Sequence, residues 1–229
     1  MGFSLLASDL GYHLSSNFKL YSNIGKTYRI PTYTDLYYSD RTTVGNENLN
    51  PEQATTSEFG FKYNDSKFNL SAALFSRKSK NIIDYVKENE NDLWEAVNIG
   101  SLNTTGFEVD LEYKFLSKHL SLNSISLGYS NLKDDNYLSN INYSRYSLNS
   151  LKNHFISKLN LNYKKIFLST VFKYAQRSDG SNYSVLDSKV FYKSFFINVN
   201  NILDVVYSET NLVPMPGRNV LLGLLYRIN

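Results

Sequence analysis

The connections along this chain of 229 residues alternate between short and long. Segments in which apolar and polar residues follow one another with a period of two are joined by tight turns near 15–17, 64–66, 117–118, 164–165 and 193–194. Between those turns lie longer connections at 28–54, 87–94, 133–146, 176–182 and 204–217. A period of two marks strands with unlike faces. In an antiparallel up-and-down meander every second connection returns to the same rim. A strict short–long alternation therefore puts the tight turns on one rim and the extended loops on the other, as in transmembrane β-barrels. Sandwiches with Greek-key connections give no such sorting. The pattern predicts about eleven antiparallel strands in sequence order, and hence an all-β, up-and-down transmembrane barrel.

The segments agree with this one by one. Over 18–27, Phe18, Leu20 and Ile24 share a face, while Lys19, Tyr21, Asn23 and Thr27 share the other. Over 55–63, Phe59, Phe61 and Tyr63 alternate with Glu58, Gly60 and Lys62. The clearest segment follows Gly106, where Phe107, Val109, Leu111 and Tyr113 alternate with Glu108, Asp110 and Glu112. Three carboxylates on one face cannot enter a dry core unpaired. They can face a wet lumen, with the opposite face against lipid and Tyr113 in an interfacial girdle. A change of phase between Leu122 and Ile125 predicts a bulge. Ile166–Ala175 is apolar on both faces. The tenth segment is read from Phe195 to Leu203, and the last, 219–229, places Val220, Leu222, Leu224, Tyr226 and Ile228 outward with Gly223 and Arg227 inward.

Composition narrows the classes. The chain has 19 Tyr, 14 Phe, one Trp and four Pro, with abundant Asn and Ser, which favours strands and turns. The absence of Cys excludes a disulfide scaffold and thiolate metal sites. A net charge of +3, spread along the chain, gives no footprint for nucleic acid. No apolar run approaches the roughly 20 residues of a transmembrane helix, and a mean hydropathy of −0.35 suits a barrel with a wet lumen. The start, MGFSLLASDLGYHL, lacks a basic leader region and reads as a strand, so the chain is expected to be a piece of a longer one.

At this point the motifs resemble a known family. Tyr28-Arg29-Ile30-Pro31-Thr32, then Asp35-Leu36-Tyr37, then Gly45-Asn46…Leu49-Asn50-Pro51-Glu52 is similar to the "R-x-P-T…E-L-Y…G-N-x-x-L-x-P-E" region of TonB-dependent outer-membrane receptors. Asn98-Ile99-Gly100…Gly106-Phe107-Glu108 resembles that family's "N…G-x-E" strand. Asn201-Ile202-Leu203-Asp204…Tyr207…Pro216-Gly217-Arg218 resembles its "N-L-x-D-x-x-Y…P-G-R" ending. The resemblance implies the C-terminal half, strands 12 to 22, of a 22-stranded barrel, with residues 1–229 as one domain and no plug. It implies an integral protein of the bacterial outer membrane, with outer-membrane lipid, the N-terminal half-barrel and the plug as partners, and TonB engaged through that plug. The implied activity is uptake of a scarce large nutrient, vitamin B12 (cobalamin) or a ferric siderophore, with no cofactor. Asn81-Ile82-Ile83-Asp84 and Trp94–Ile99 look closest to cobalamin receptors and their siderophore-receptor relatives. Alone, this half is expected not to close into a barrel. The alternative is a complete small outer-membrane barrel, a 12-stranded porin, adhesin or phospholipase-like enzyme.

Within that frame Arg29, Pro31, Gly45, Asn46, Pro51, Glu52, Gly106, Glu108, Asn201, Asp204, Gly217 and Arg218 are structural motif residues; Arg29 and Pro31 fix the exit from a strand, because Pro ends ladder pairing. Tyr37, Tyr38, Arg41, Trp94 and Tyr137 lie on the extended connections and are the candidate ligand contacts, with Tyr33–Val44 free to meet a ligand. Glu108, Asp110 and Glu112 are read as a solvated lumen face rather than a metal site. His154 beside Asn153 invites a Ser-His-Asn reading, but no Ser is placed near it by sequence, and His13 and His119 lack ligand spacing. No catalytic residue and no metal site are expected.

Overall fold

A computed structural model describes residues 6–116, 122–136, 142–145, 151–210 and 213–225. In chain order the elements are β1 (Leu6–His13), β2 (Phe18–Arg29), α1 (Tyr33–Tyr37), β3 (Thr43–Val44), β4 (Glu52–Asn64), β5 (Phe68–Lys87), β6 (Trp94–Lys114) and β7 (Leu122–Asn136). They continue with β8 (Tyr143–Ser144), β9 (Leu151–Tyr163), β10 (Ile166–Arg177), β11 (Asn182–Tyr192), β12 (Phe195–Asn200), β13 (Ser208–Thr210), β14 (Val213–Pro214) and β15 (Asn219–Leu224). One sheet runs β1-β2-β4-β5-β6-β7-β9-β10-β11-β12-β15, each strand antiparallel to its neighbours, with β3 beside β6 and β8 beside β5. The eleven strands of that path are the eleven read from sequence. The fold is an all-β antiparallel partial barrel. Among the described residues β1 and β15 end the path and do not pair with each other.

Register sorts the side chains into two faces. Leu20, Phe61, Ala72, Val109 and Tyr129 form a cross-strand row on one face. Lys19, Lys62, Ser71, Asp110 and Gly128 form a row on the other. Apolar residues on the first face are exposed, among them Phe59, Leu74 and Leu222, which a water-soluble sheet of this size would cover. At the tight-turn rim aromatic rings meet in sequence, Tyr63 with Phe68 (centroids 6.5 Å), and Phe68 with Tyr113 (6.0 Å). The polar face carries a groove lined by Lys62, Asn69, Asp110, Glu112, Ser126 and Lys158. Glu112 is held there by Lys114 at 3.4 Å and by the Asn69 amide at 2.8 Å.

On that polar face two glycines lie under rings. A Cβ on Gly60 would come within 2.6 Å of the Tyr21 ring and of the Ala72 carbonyl. One on Gly106 would meet the Phe75 ring at 2.6 Å and the Asn131 carbonyl at 2.5 Å. Large rings thereby lie flat along the wall instead of projecting from it. Ile166–Ala175 is apolar on both faces for a related reason. Phe167 occupies the polar face in a row with Phe191 and Phe196 (centroids 6.2 and 5.6 Å), and Lys189 lies over the last two at 4.8 and 4.7 Å.

The expected bulge is present, as the β7–β9 register shifts between Leu122 and Ser124. The boundaries differ in three places. β2 reaches Arg29 and β4 begins at Glu52 rather than Thr55, because those two residues pair. β12 ends at Asn200, before Leu203, because Asn201 turns the backbone left-handed (φ 50°). β7 continues to Asn136, into the stretch read as loop. Residues 226–229, with Tyr226, Arg227 and Ile228, lie outside the described residues, as do Tyr137 and His119.

Candidate functional site

The connection from Ile30 to Pro51 is folded against the long-loop rim. Thr32 caps α1 in a capping box: its hydroxyl accepts the Asp35 N–H at 3.2 Å and its own N–H donates to Asp35 Oδ2 at 2.9 Å. Arg29, the last residue of β2, reaches both ends of the loop. Its Nη2 donates to Asp35 Oδ2 at 3.0 Å and its Nη1 to Glu52 Oε1 at 2.7 Å. Glu52 also accepts the Ile83 N–H at 2.8 Å, and the Tyr85 hydroxyl donates to Asp35 Oδ1 at 3.2 Å. One guanidinium and two carboxylates thus tie β2, α1, β4 and the upper part of β5 together. Burial opposes ionisation of Asp35, yet the Thr32 N–H and side chain, the Arg29 charge and Tyr85 outweigh it and hold its carboxyl below the usual aspartate range.

The rest of the motif closes the same structure. Gly45 donates to the Tyr38 carbonyl at 2.7 Å and Asn46 to the Asp35 carbonyl at 2.9 Å. A Cβ on Gly45 would stand 2.9 Å from the backbone of Asp35 and Leu36, so a side chain there displaces α1. Asn50 and Asn98 exchange hydrogen bonds at 2.7 and 2.9 Å. Below them Leu49, Ile83 and Ala96 form a small core against Leu36 and Tyr85. β3 then lies parallel to the start of β6, Thr43 opposite Trp94, and the Trp94 N–H donates to the Thr42 carbonyl at 2.8 Å. Arg145 lies over the Trp94 ring at 4.6 Å and the Tyr85 ring at 5.3 Å; Lys87 lies over Trp94 at 5.0 Å and Tyr143 at 5.2 Å.

The candidate contacts are accordingly not equivalent. Tyr37, Tyr38 and Arg41 are exposed on α1 and the turn after it. Tyr33, the first residue of the stretch read as free to meet a ligand, is the most open of the three tyrosines at 78% exposure, its ring 5.2 Å from that of Tyr37. Tyr38 donates to Asp40 at 2.9 Å, and the Thr42 N–H with the Tyr38 hydroxyl lowers the Asp40 carboxyl to about 2. Trp94 is brought to the same rim by β3 but is half-buried, with two cations over its ring. Sequence reasoning also passed over Tyr85, on the upper part of β5, and Tyr143 and Arg145, which come from the connection that carries β8. The Thr32-x-x-Asp35 capping box was a local signal for α1; no local signal marks the pairing of Thr43 with Trp94.

At the other end of the chain the second motif forms its own knot. Asn201 is buried, its side chain donating to the carbonyls of Val205 (2.8 Å) and Pro216 (3.3 Å) and accepting the Val205 N–H (3.0 Å). Asp204 accepts the Arg218 N–H at 2.8 Å and stands 3.8 Å from its guanidinium, beside Gly217. Glu108 is exposed on the polar face. Pro31 follows the last rung of β2 by two residues. Among the described residues no group of three or more His, Asp or Glu is placed to hold a metal. His154 sits opposite Ala175 and Ser130 on the sheet.

The depressed Asp35 carboxyl makes the loop acid-sensitive in one direction. A carboxyl lowered in the folded state stabilises it above the ordinary aspartate range, near pH 4, and that contribution is lost as pH falls through the lowered value. Hydrogen exchange should find the Thr32 amide protected from neutral pH down to about 4 and increasingly open below it. Unchanged protection at pH 2 would show that the carboxylate does not hold the loop.

Comparison with known proteins follows the same lines. The family described as TonB dependent receptor-like, beta-barrel matches residues 5–202. Similar solved structures include the copper transporter OprC (TM-score 0.73, 16% identity, covering 93% of this chain and 38% of that one). The FrpB iron transporter from Neisseria meningitidis is similar at TM-score 0.71 and 19% identity, over 95% of this chain and 38% of that one. The siderophore receptor PirA from Acinetobacter baumannii is similar at TM-score 0.68 and 17% identity, over 94% and 40%. The chain thus spans about two fifths of the length of these structures, and at such identities the likeness is one of fold. No protein of curated function matches by sequence.

Proposed function

The chain belongs to the TonB dependent receptor-like β-barrel family, and from that premise we propose that it forms wall and outer mouth of an outer-membrane uptake receptor whose ligand is a ferric siderophore. Family and structural neighbours are receptors and transporters, not enzymes. In this reading the apolar face meets lipid, the polar face lines the lumen, and the long-loop rim faces the medium. The observation that carries it is the preorganised rim: Tyr33, Tyr37, Tyr38 and Arg41 stand exposed on a loop that Arg29, Asp35 and Glu52 hold in place. Exposed rings offer flat faces to a large conjugated ligand, and Arg41 offers charge to an anionic one. Pre-ordering the loop lowers the entropy lost on capture.

Likeness to an iron transporter and to a siderophore receptor supports a ferric chelate over cobalamin. Trp94 and Tyr137 remain proposed secondary contacts. Release inward requires a plug and TonB, and both are partners in this proposal. The test is equilibrium binding to the full-length receptor of cobalamin and of ferric catecholate and hydroxamate siderophores. One ferric siderophore is expected to bind, and joint replacement of Tyr33, Tyr37 and Tyr38 by Ala to weaken it at least about tenfold, roughly 1.4 kcal/mol. Binding of cobalamin alone would overturn the ligand; binding of neither would overturn the receptor.

A further inference from the structure

Charged residues on the apolar face are confined to one part of it. Register aligns Ile24, Ser57, Ser76, Thr105 and Lys133 in the row above Phe59, Leu74 and Phe107. The next row toward the long loops is Lys26, Thr55, Lys78, Asn103 and Asp135. The row beyond it is Tyr28, Gln53, Lys80 and Ser101. Lys133 is matched by Asp135 at 3.7 Å. Lys26, Lys78 and Lys80 are exposed, and among the described residues none of them makes an ion pair with a carboxylate. Lys26 lies against the Tyr28 ring at 5.3 Å. The polar positions that follow the apolar ones on β9, β10 and β11 are instead the neutral amides Asn153, Gln176 and Asn182, aligned by register.

Height decides what such cations meet. Lys78 stands ten residues along β5 from Phe68 of the tight-turn girdle, about 33 Å of strand. At a barrel tilt near 40° that is about 25 Å along the membrane normal, the height of an outer-membrane apolar band. The three ammonium groups therefore emerge at the lipid headgroups on the long-loop side. Lys26 and Lys78 are two strands apart, about 10 Å, and Lys80 is one outward position beyond Lys78, about 7 Å. Thr55, exposed between Lys26 and Lys78, adds a hydroxyl.

We propose that Lys26, Lys78, Lys80 and Thr55 form an external binding site for the phosphate groups of an outer-leaflet lipid. This inference rests on the reading of the chain as a membrane-embedded barrel wall. The partner is the headgroup of a phosphorylated lipid whose acyl chains lie along Leu74 and Phe59. A free anion has no reason to prefer this triad over Lys19, Lys62 and Lys158 of the polar face.

The experiment uses the full-length receptor in detergent, mixed with diphosphoryl lipid A or with inorganic phosphate, and reads lipid retained per receptor after chromatography. K26Q/K78Q/K80Q is expected to retain at least fivefold less lipid A than wild type, while K19Q/K62Q/K158Q retains the wild-type amount and inorganic phosphate competes poorly. Equal retention by K26Q/K78Q/K80Q and wild type would overturn the site, as would equal losses in the two triple variants or full displacement by inorganic phosphate. Heat-modifiable migration of the same samples separates the two readings. A receptor without it fails as a closed barrel; one that shows it, yet retains lipid equally, fails only as a lipid site.

Discussion

Replacing Asn201 by Ala is expected to destabilise the β12–β15 connection by about 3–4 kcal/mol, the largest single-residue effect outside the wall. The side chain makes three hydrogen bonds within the turn, each worth about 1 kcal/mol, and its removal leaves the half-buried Val205 N–H and two carbonyls without these partners. Asn201 also holds a left-handed backbone (φ 50°), which costs about 1 kcal/mol or more in residues other than Gly and Asn. Asn201→Gly keeps the backbone and loses only the bonds, so it should recover about 1 kcal/mol relative to Ala. Proteolysis of the 201–218 stretch and the denaturant midpoint of the folded receptor both read the effect. A loss below about 1 kcal/mol for Asn201→Ala would mean that the knot is not what sets the last two strands in register.

Replacing Asp35 by Ala should release the loop from 30 to 51 while leaving the wall intact. The carboxylate takes bonds from Arg29, Thr32 and Tyr85 and is only 4% exposed. Charged hydrogen bonds contribute about 1.5–3 kcal/mol each, but the Arg29 side chain is 41% exposed and keeps Glu52, so solvent screening reduces its share. A local loss of about 2–3 kcal/mol, roughly a 30- to 160-fold rise in opening, is expected in amide exchange at Asn46 and Thr32. Ligand affinity should fall through the same opening, since the exposed tyrosines lose their common frame. Asp35→Asn keeps the shape and one acceptor, so it should fall between. If exchange at these amides rises in Asp35→Ala no more than twofold, the loop is held by its small Leu49–Ile83–Ala96 core alone.

How much of this was legible in the chain depends on the range of the interaction. Strands with one wet and one dry face print a period of two, and the eleven wall strands and the Leu122–Ser124 bulge were read from it. Turn chemistry is local, so the tight turns at 15–17, 64–66, 164–165 and 193–194 stood out as well, while the one read at 117–118 lies outside the described residues. The outer cluster was harder. Asp35 looks like a loop acid until the Thr32 capping box is noticed, and Glu52 looks like a loop residue until Arg29 is found opposite it in the ladder. Arg145 is about fifty residues from Trp94 along the chain, and nothing in either neighbourhood says that they stack. Leu203 kept the alternation and was read as strand; the backbone had already turned at Asn201, where a buried side chain outweighs the pattern.

Trp94 has a consequence of a spectroscopic kind. It is the only tryptophan of the 229 residues, and the Arg145 guanidinium and the Lys87 ammonium both lie over its indole. The excited indole is polarisable, so its emission maximum and quantum yield follow the positions of those two cations. Loss of β3 from its side, or arrival of an anion that draws Arg145 away, changes the electrostatic field at the ring before any wall strand moves. The long-loop rim therefore carries its own optical probe, placed where three separate connections meet and silent to events at the tight-turn rim.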